Sequence, residues 1–215
     1  RAKYQGGYAM TKIAIFDYGA GNLFSLKSAL KRNGTESVDI IYDLKELTKF
    51  DGLVLPGVGN FDPAIRSIES SASYLDRAID NCMPLLGICL GMEILFNKSE
   101  EGRLKGLKIL DGEVIMLPKG KVKIPHMGWN NLQIKGKSKL LKGVKDQSWV
   151  YFVHSYKTVP KDHKLVVATS EYGVSIPAMI EKDNLIGVQF HPEKSGDVGP
   201  LMIRNFIGLC KKEAK

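Results

Sequence analysis

The stretch Gly87-Ile-Cys89-Leu-Gly91 decides the fold of this chain. It stands where an apolar run over 84–89 (PLLGIC), which predicts a strand, meets a predicted helix over 92–97. Glycines two residues to either side of a cysteine are typical of a nucleophile elbow, a strand-to-helix turn with strained backbone angles and little room for side chains. Such a turn presents the thiol at the carboxyl edge of a sheet, beside the amides of the next helix, which favour a thiolate and a developing oxyanion. The sequence therefore predicts Cys89 as a nucleophile.

Apolar strands alternate with helices before this turn. The pattern predicts strands at 12–16, 38–42 and 52–55, and helices at about 23–31 and 62–81. Each strand is nearly continuously apolar, which favours a parallel sheet covered on both faces.

The second half of the chain is rich in β structure. Short turns separate its predicted strands, and a helix over 199–211 closes the chain; the strands are expected at 114–117, 132–134, 149–156, 165–170, 178–181 and 185–190. We expect one α/β domain over 10–215, with a mixed, largely parallel central sheet flanked by helices and a β-rich second half. Residues 1–9 show no periodicity and precede Met10, so a cloning remnant or a loose tail is expected there.

Composition and charge narrow the class of protein. The 215 residues are 44% hydrophobic and 25% charged, as in an ordinary globular domain. Three cysteines are too few for a disulfide framework, and no membrane span or secretory signal is recognisable, so we expect a soluble cytoplasmic protein. The net charge of the chain is +8, and the excess of basic over acidic residues within 98–145 alone has the same value. Because that stretch has one aromatic residue, a solvated face or a dock for an acidic partner or phosphorylated metabolite is favoured over a nucleic-acid surface.

A nucleophilic cysteine needs a base, and His191 is the strongest candidate. It ends an apolar run and is followed by Pro192 and Glu193. The residue before a proline avoids the helical region, and residues i and i+2 of an extended chain share a face, so Glu193 can hold the imidazole in one tautomer. The other histidines are expected in a loop, in a strand and in an exposed turn (His126, His154 and His163, respectively).

A glycine loop, Pro56-Gly57-Val58-Gly59, directly follows the predicted strand over 52–55. Its amides could face the Cys89 turn and donate to an oxyanion, although the loop alone fits a plain strand-to-helix connection equally well. No cysteine and histidine cluster has the spacing of a zinc site, and no phosphate or dinucleotide fingerprint is present. We therefore predict neither a metal nor a cofactor.

Taken together, these motifs resemble the class I glutamine amidotransferases. Cys89 within GICLGM and His191-Pro-Glu193 about a hundred residues later mark that family. Five segments in order make the chain most similar to the glutaminase subunits of imidazole glycerol phosphate synthases: 17–23 (DYGAGNL), 56–59 (PGVG), 125–130 (PHMGWN), 151–156 (YFVHSY) and 190–195 (FHPEKS). The resemblance covers residues 10–211.

The resemblance implies an activity and a set of site residues. Cys89, His191 and Glu193 would form a triad that hydrolyses the side-chain amide of glutamine through a thioester, and the amides of Val58 and Leu90 would form the oxyanion hole. It also implies the substrate-binding residues Gly57, Gly59, Glu93, Glu101, His154, Ser155 and Tyr156. Glu93 stands where most relatives carry a glutamine.

A partner is implied as well. Ammonia is expected to pass to a separate (β/α)₈ cyclase subunit, which forms a heterodimer with this chain and makes imidazole glycerol phosphate in histidine biosynthesis. Glutaminase activity is expected to be low until that subunit is bound and loaded. The docking face would include Trp129, Tyr151 and Lys194, and neither nucleic acid nor a membrane is an expected partner.

Three alternatives stay open on the sequence. The chain fits a class I glutaminase that serves anthranilate or pyridoxal phosphate synthesis, although those relatives usually lack the 125–130 segment. A cysteine hydrolase such as a peptidase would act without a partner. A catalytically silent binding module would have no need of an intact Cys89, His191 and Glu193.

Overall fold

A mixed eight-stranded sheet forms the centre of the fold in the computed structural model, which describes residues 11–19, 23–35 and 37–211. The tail expected over 1–9 lies outside the described residues. The strands are β1 (Lys12–Phe16), β2 (Ser37–Ile41), β3 (Gly52–Leu55), β4 (Leu85–Ile88), β5 (Gly112–Met116), β6 (His126–Asn131), β7 (Gln133–Ile134), β8 (Trp149–His154), β9 (Tyr156–Pro160), β10 (Val166–Glu171), β11 (Ser175–Lys182) and β12 (Leu185–Val188). The α-helices are α1 (Phe24–Arg32), α2 (Phe61–Glu69), α3 (Ala72–Asp80), α4 (Leu90–Glu93) and α5 (Val198–Cys210).

The order of the strands in the central sheet is β2-β1-β3-β4-β12-β11-β10-β7. The first five strands of this order run parallel, and β12, β11, β10 and β7 pair antiparallel. Two antiparallel pairs, β5 with β9 and β6 with β8, stand apart from the sheet. The expectation of a mixed, largely parallel sheet with a β-rich second half is confirmed.

Helices cover both faces of the sheet because its central strands are apolar on both faces. Every residue of β3, β4 and β12 is buried. In β4, Leu86 and Ile88 belong to a core cluster with residues of α1 and α5, whereas Leu85 belongs to a second cluster with residues of α2 and α3. This alternation follows from the two-residue period of a strand. Within the described part of the chain, every helix is too short or too polar to cross a membrane.

Several predicted boundaries differ from the observed ones. The predicted helix over 62–81 divides into α2 and α3, because the Ser71 amide bonds back to the Ile68 carbonyl (2.8 Å) and closes α2 with a turn. The helix predicted over 92–97 is observed as α4, which begins two residues earlier and ends at Glu93, and the Asn97 amide turns away to the carbonyl of Gly112 (3.2 Å). The strand predicted over 149–156 is interrupted at Ser155 and forms β8 and β9.

The turn from β4 into α4 has the strained backbone that the glycine spacing predicts. Cys89 has φ of 49° and ψ of −109°, a region that L-residues rarely adopt. A Cβ on Gly87 would lie 2.6 Å from the carbonyl oxygen of Gly91, and a Cβ on Gly91 would lie 2.0 Å from that of Leu55. Both glycines are therefore required by the close approach of the backbone at the turn and of β3 beside it.

We expect Gly91→Ala to lower the free energy of unfolding by about 3 kcal/mol or more, because the new methyl group would meet backbone that cannot move aside. Gly208→Ala is the matched control, since this α5 glycine has open space around its Cα and should gain about 0.5–1 kcal/mol from helix propensity. Urea unfolding measures both variants. Equal stabilities for the two would show that the turn is not tightly packed.

Candidate active site

Cys89 lies at the carboxyl end of β4 and caps the N-terminus of α4. Its amide donates to the Val188 carbonyl of β12 (2.7 Å), and its side chain is almost fully buried, with 8% of the residue exposed. Burial raises the pKa of the thiol well above its ordinary value, and the nearby Glu93 charge raises it further. Hydrogen bonds from the Leu90 amide and the Gln189 side chain favour the thiolate and act in the opposite direction.

His191 follows β12 and lies at the same edge of the sheet, because β12 and β4 are adjacent and parallel. Its backbone is extended (φ −104°, ψ 98°), as the following proline predicts. Its Nδ1 lies 2.8 Å from Oε1 of Glu193, and both side chains are at least nine-tenths buried. A carboxylate oxygen only accepts, so Nδ1–H donates and leaves Nε2 free to accept a proton.

Strand β8 holds this histidine in place through its backbone. The carbonyl of Tyr151 accepts from the amide of His191 (2.8 Å), and the amide of Tyr151 donates to Oγ of Ser195 (3.0 Å). The same Ser195 hydroxyl donates to the His191 carbonyl (2.7 Å). The role of Ser195 could not be predicted from the sequence, because its contact with residue 151 exists only once β8 lies beside the turn.

Cys89 and His191 lie side by side across Gly57. A Cβ on Gly57 would lie 2.9 Å from both the Cβ of Cys89 and the Cε1 of His191, so these two atoms are at most twice that distance apart. The thiol points to the carbonyl of Val153 (3.8 Å). Nε2 of His191 is buried and has no hydrogen-bond partner among the described residues. The thiol and the imidazole are therefore neighbours that do not share a hydrogen bond.

A cavity of about 280 Å³ opens beside the thiol. It brings together Cys89 and Leu90 with all seven residues expected to bind substrate: Gly57, Gly59, Glu93, Glu101, His154, Ser155 and Tyr156. The side chain of Val58 packs against the core instead, between two glycines that line the cavity. Among the described residues, no group of three or more His, Cys, Asp or Glu side chains is placed to hold a metal ion.

Glu93 is buried at the base of this cavity, with 3% of the residue exposed. The Nε2 group of Gln189 donates to Oε1 of Glu93 (2.9 Å) and to Sγ of Cys89 (3.6 Å). Burial, with a smaller contribution from the charge of Glu101, raises the pKa of Glu93 to about 8. Glu93 is therefore mostly uncharged at neutral pH, and Gln189 links it to the thiol.

Sequence reasoning missed Gln189 and misplaced His126. A polar amide inside the apolar run 185–190 is the signal for Gln189, since a buried amide needs partners. The prediction of a loop at His126 was wrong: it begins β6 and lies opposite His154 in the pair with β8. Six residues from 126 to 131, mostly polar or glycine, do not show the alternation that identifies a strand.

The three residues expected at a docking face also lie together. The rings of Trp129 and Tyr151 meet edge to face with centroids 5.8 Å apart. Nζ of Lys194 lies 6.0 Å from the centroid of the Tyr151 ring. The paired residues Trp129 and Tyr151 are an odd number of positions from the pair His126 and His154, so the two pairs face opposite sides of the β6–β8 ribbon.

Residues 14–209 match the family described as "Glutamine amidotransferase class-I". The chain belongs to this family of glutamine amidotransferases. It is 49% identical, over 93% of its length and 98% of the relative's, to the "Imidazole glycerol phosphate synthase subunit HisH" of Caldanaerobacter subterraneus subsp. tengcongensis. The subunit of the same name from Aquifex aeolicus is 46% identical, with 94% and 98% of the two chains covered.

Solved structures agree on the fold. The structure of PurLQS from Thermotoga maritima superposes with a TM-score of 0.72 at 19% identity, with 93% of this chain and 99% of that chain covered. A glutamine amidotransferase from the same organism gives a TM-score of 0.64 at 18% identity, with 86% and 77% covered. The class I glutamine amidotransferase fold expected from the sequence is confirmed.

We expect the stability advantage of Glu93→Gln over the wild type to grow by at least about 2 kcal/mol between pH 5 and pH 8. The pKa of this carboxyl is raised from 4.5 to about 8, so the folded protein holds a proton there that the unfolded chain releases as the pH rises. The wild type therefore loses stability across this window, and the glutamine variant does not. Urea unfolding at both pH values measures the difference. Glu69→Gln, at an exposed position of α2, is the control, and parallel curves for all three proteins would contradict a buried neutral Glu93.

Proposed function

We propose that this chain is the glutaminase subunit of an imidazole glycerol phosphate synthase, which hydrolyses glutamine and supplies ammonia to a separate cyclase subunit in histidine biosynthesis. One observation carries the proposal: Cys89 and the His191–Glu193 pair meet at one edge of the sheet, beside a cavity large enough for an amino acid. The relatives that cover nearly the whole chain carry the name of this subunit.

In the proposed reaction, Cys89 Sγ attacks the side-chain amide carbon of glutamine while its proton passes to His191 Nε2. The C–N bond then breaks as the imidazolium returns this proton to the leaving nitrogen, and ammonia departs. Water, deprotonated by the same Nε2, attacks the thioester, and the thiol and glutamate are released. Glu193 fixes the tautomer of the ring and stabilises the imidazolium through the 2.8 Å hydrogen bond.

Two backbone amides are proposed to stabilise the oxyanion that forms during each attack. The Leu90 amide already lies against the sulfur at the start of α4, where the helix dipole adds partial positive charge. The Val58 amide would be the second donor. Its flanking glycines line the cavity, and a Cβ on Gly57 would lie 2.9 Å from the Cβ of Cys89, so the loop passes close to the thiol.

The arrangement of the thiol supports a low activity for the chain alone. Its hydrogen bond runs to Val153 rather than to His191, and burial keeps its pKa raised. Attack therefore needs a small rearrangement in which the thiol turns to the free Nε2 of His191. We propose that binding of the cyclase subunit favours this rearrangement.

The cavity is proposed to recognise glutamine through carboxyl and backbone groups. Glu93 and Glu101 are acidic groups on its lining, and burial raises the pKa of both. Acidic oxygens suit the α-ammonium group of the substrate, whereas the α-carboxylate needs amide or hydroxyl donors. The segment from His154 through Ser155 to Tyr156 forms the wall where such donors are available, because β8 is interrupted there.

A docking face for the cyclase subunit is proposed on the outer side of the β6–β8 ribbon. Met127, Trp129 and Trp149 are exposed there by 63%, 51% and 58%, and Tyr151 and Lys194 lie beside them. Large exposed apolar side chains that cluster in this way are typical of protein interfaces. We propose that a (β/α)₈ cyclase covers this face in a heterodimer.

The twelve basic side chains of 98–145 are all exposed, as expected of a solvated face. We propose that part of them meets an acidic surface of the cyclase.

We also propose a cytoplasmic location. All three cysteines are free, and Cys82 is exposed. An exposed free thiol suits a reducing compartment such as the cytoplasm. Single-domain organisation over 10–215 is part of the same proposal, supported by one sheet that joins both halves of the described chain.

The decisive experiment measures glutamate release from glutamine by the chain alone, by the chain with the cyclase subunit and by the Cys89→Ala complex. We expect activity that depends on the partner and falls at least about a thousandfold in the alanine variant, since the nucleophile is lost. Cys82→Ala is the matched control and should retain wild-type activity. Full activity without the cyclase, or cleavage of peptides instead of glutamine, would overturn the proposal. Activation by an anthranilate or pyridoxal phosphate synthase partner instead would favour the alternative glutaminase.

We expect Trp129→Ala to weaken binding of the cyclase subunit more than tenfold, because a half-exposed tryptophan at the centre of an apolar face is a typical hot spot. Tyr42→Ala is the matched control: Tyr42 is 69% exposed but follows β2, at the far edge of the central sheet. Titration calorimetry measures both affinities. Equal losses for the two variants would place the docking face elsewhere.

A further inference from the structure

Of two neighbouring buried histidines, His154 lines the cavity and His126 lies behind it, and the proposed reaction does not use their chemistry. His126 in β6 and His154 in β8 lie directly opposite each other, and only 3% and 5% of these residues are exposed. Their rings are joined by a hydrogen bond of 2.9 Å between Nδ1 of His126 and Nε2 of His154. A buried imidazole pair at this distance needs a defined arrangement of protons.

The partners of the two rings fix that arrangement. Nδ1 of His154 lies 2.6 Å from the carbonyl oxygen of Tyr156, which can only accept, so Nδ1 carries the hydrogen. Nε2 of a neutral His154 is then an acceptor, and His126 must donate to it from Nδ1. Nε2 of His126 in turn faces the amide nitrogen of Asn130 (3.4 Å), which donates. Every ring nitrogen of the pair is used when both rings are neutral and share one tautomer.

Burial favours this neutral state. It lowers the pKa of His126 to about 4 and that of His154 to about 3. The ring of His126 also stacks on Phe152 and Tyr172, with centroids 4.7 Å and 3.9 Å apart. The donor of His126 is therefore held at a fixed point in space.

We infer that His126 is a positioning residue for the glutamine cavity and acts through His154. This inference rests on the proposed function. His154 and Tyr156 both line the cavity, and Nδ1 of His154 donates to the carbonyl of Tyr156. Val153, whose carbonyl accepts the hydrogen of the Cys89 thiol, precedes His154 in the same strand. A rigid His154 therefore sets the shape of the wall against which glutamine binds.

Two substitutions separate the hydrogen bond from the stacking. His126→Phe keeps an aromatic ring against Phe152 and Tyr172 but has no donor. His126→Asn loses the ring but keeps an N–H donor near the position of Nδ1. With the cyclase subunit bound, we expect His126→Phe to raise the KM for glutamine about tenfold, with a kcat within about threefold of wild type, since one buried hydrogen bond is lost outside the reacting atoms. In His126→Asn, the KM should lie close to the wild-type value, although we expect this variant to be the less stable of the two in urea.

A second readout does not depend on activity. Nitrogen NMR of the ¹⁵N-histidine-labelled full chain distinguishes protonated from unprotonated ring nitrogens. We expect both histidines to be protonated on Nδ1 and unprotonated on Nε2 at pH 7. The signal of the acceptor Nε2 of His154 should shift in His126→Phe, where its hydrogen bond is lost, and should stay near its wild-type position in His126→Asn.

The inference is overturned by a wild-type KM in His126→Phe, by a KM in His126→Asn no better than in His126→Phe, or by a proton on Nε2 of His154 in the wild type. Failure of the proposed function looks different: the wild-type complex would then release no glutamate. The nitrogen signals would still decide whether His126 fixes His154. Should His126→Phe not fold, the wild-type signals still decide, because a proton on Nε2 of His154 overturns the inference and a bare, hydrogen-bonded Nε2 supports it.

Discussion

The close approach of the β3 backbone to the turn after β4 is the constraint on which the site depends. Gly91 passes so near to the carbonyl of Leu55 that no side chain fits, and Cys89 is forced into a positive φ. The parallel neighbours on either side of β4 then supply the other groups: β3 leads into the Gly57 loop, and β12 leads towards His191. Since parallel strands end at a common edge, residues separated by more than a hundred positions converge on one sulfur.

Much of this architecture could be predicted because it depends on local patterns. The bounds of β1 and β3 match the apolar runs, and the glycine spacing around Cys89 gave the strained turn. The extended backbone of His191 follows from the proline after it. Cys89, His191 and Glu193 could be picked out for the same reason, because each lies in a short motif whose local backbone geometry follows from its own residues. Their roles in catalysis stay predictions until activity is measured.

The features that sequence reasoning missed depend on contacts between distant segments. Gln189 matters because β12 places it beside α4, where one amide meets both Glu93 and the thiol. His126 begins a strand with little apolar alternation, and β6 exists because β8 offers it a partner. The burial of Glu93 likewise depends on the whole cavity. Propensity and periodicity do not report on such pairings, which tertiary packing decides.

The buried groups in and behind the cavity wall share one electrostatic property, which follows from these distant contacts. Burial keeps Glu93, His126 and His154 mainly uncharged near neutral pH, and it also disfavours the thiolate of Cys89. The acidic side chains of Glu101 and Glu193 and the imidazole of His191 are then the remaining ionisable groups beside the thiol. Few charges therefore compete with the donors of the Leu90 turn for a developing oxyanion, and the burial of these donors strengthens their effect on it. The same burial disfavours the thiolate of the resting site, so a single environment accounts both for the strength of the proposed catalysis and for the proposed rearrangement before it begins.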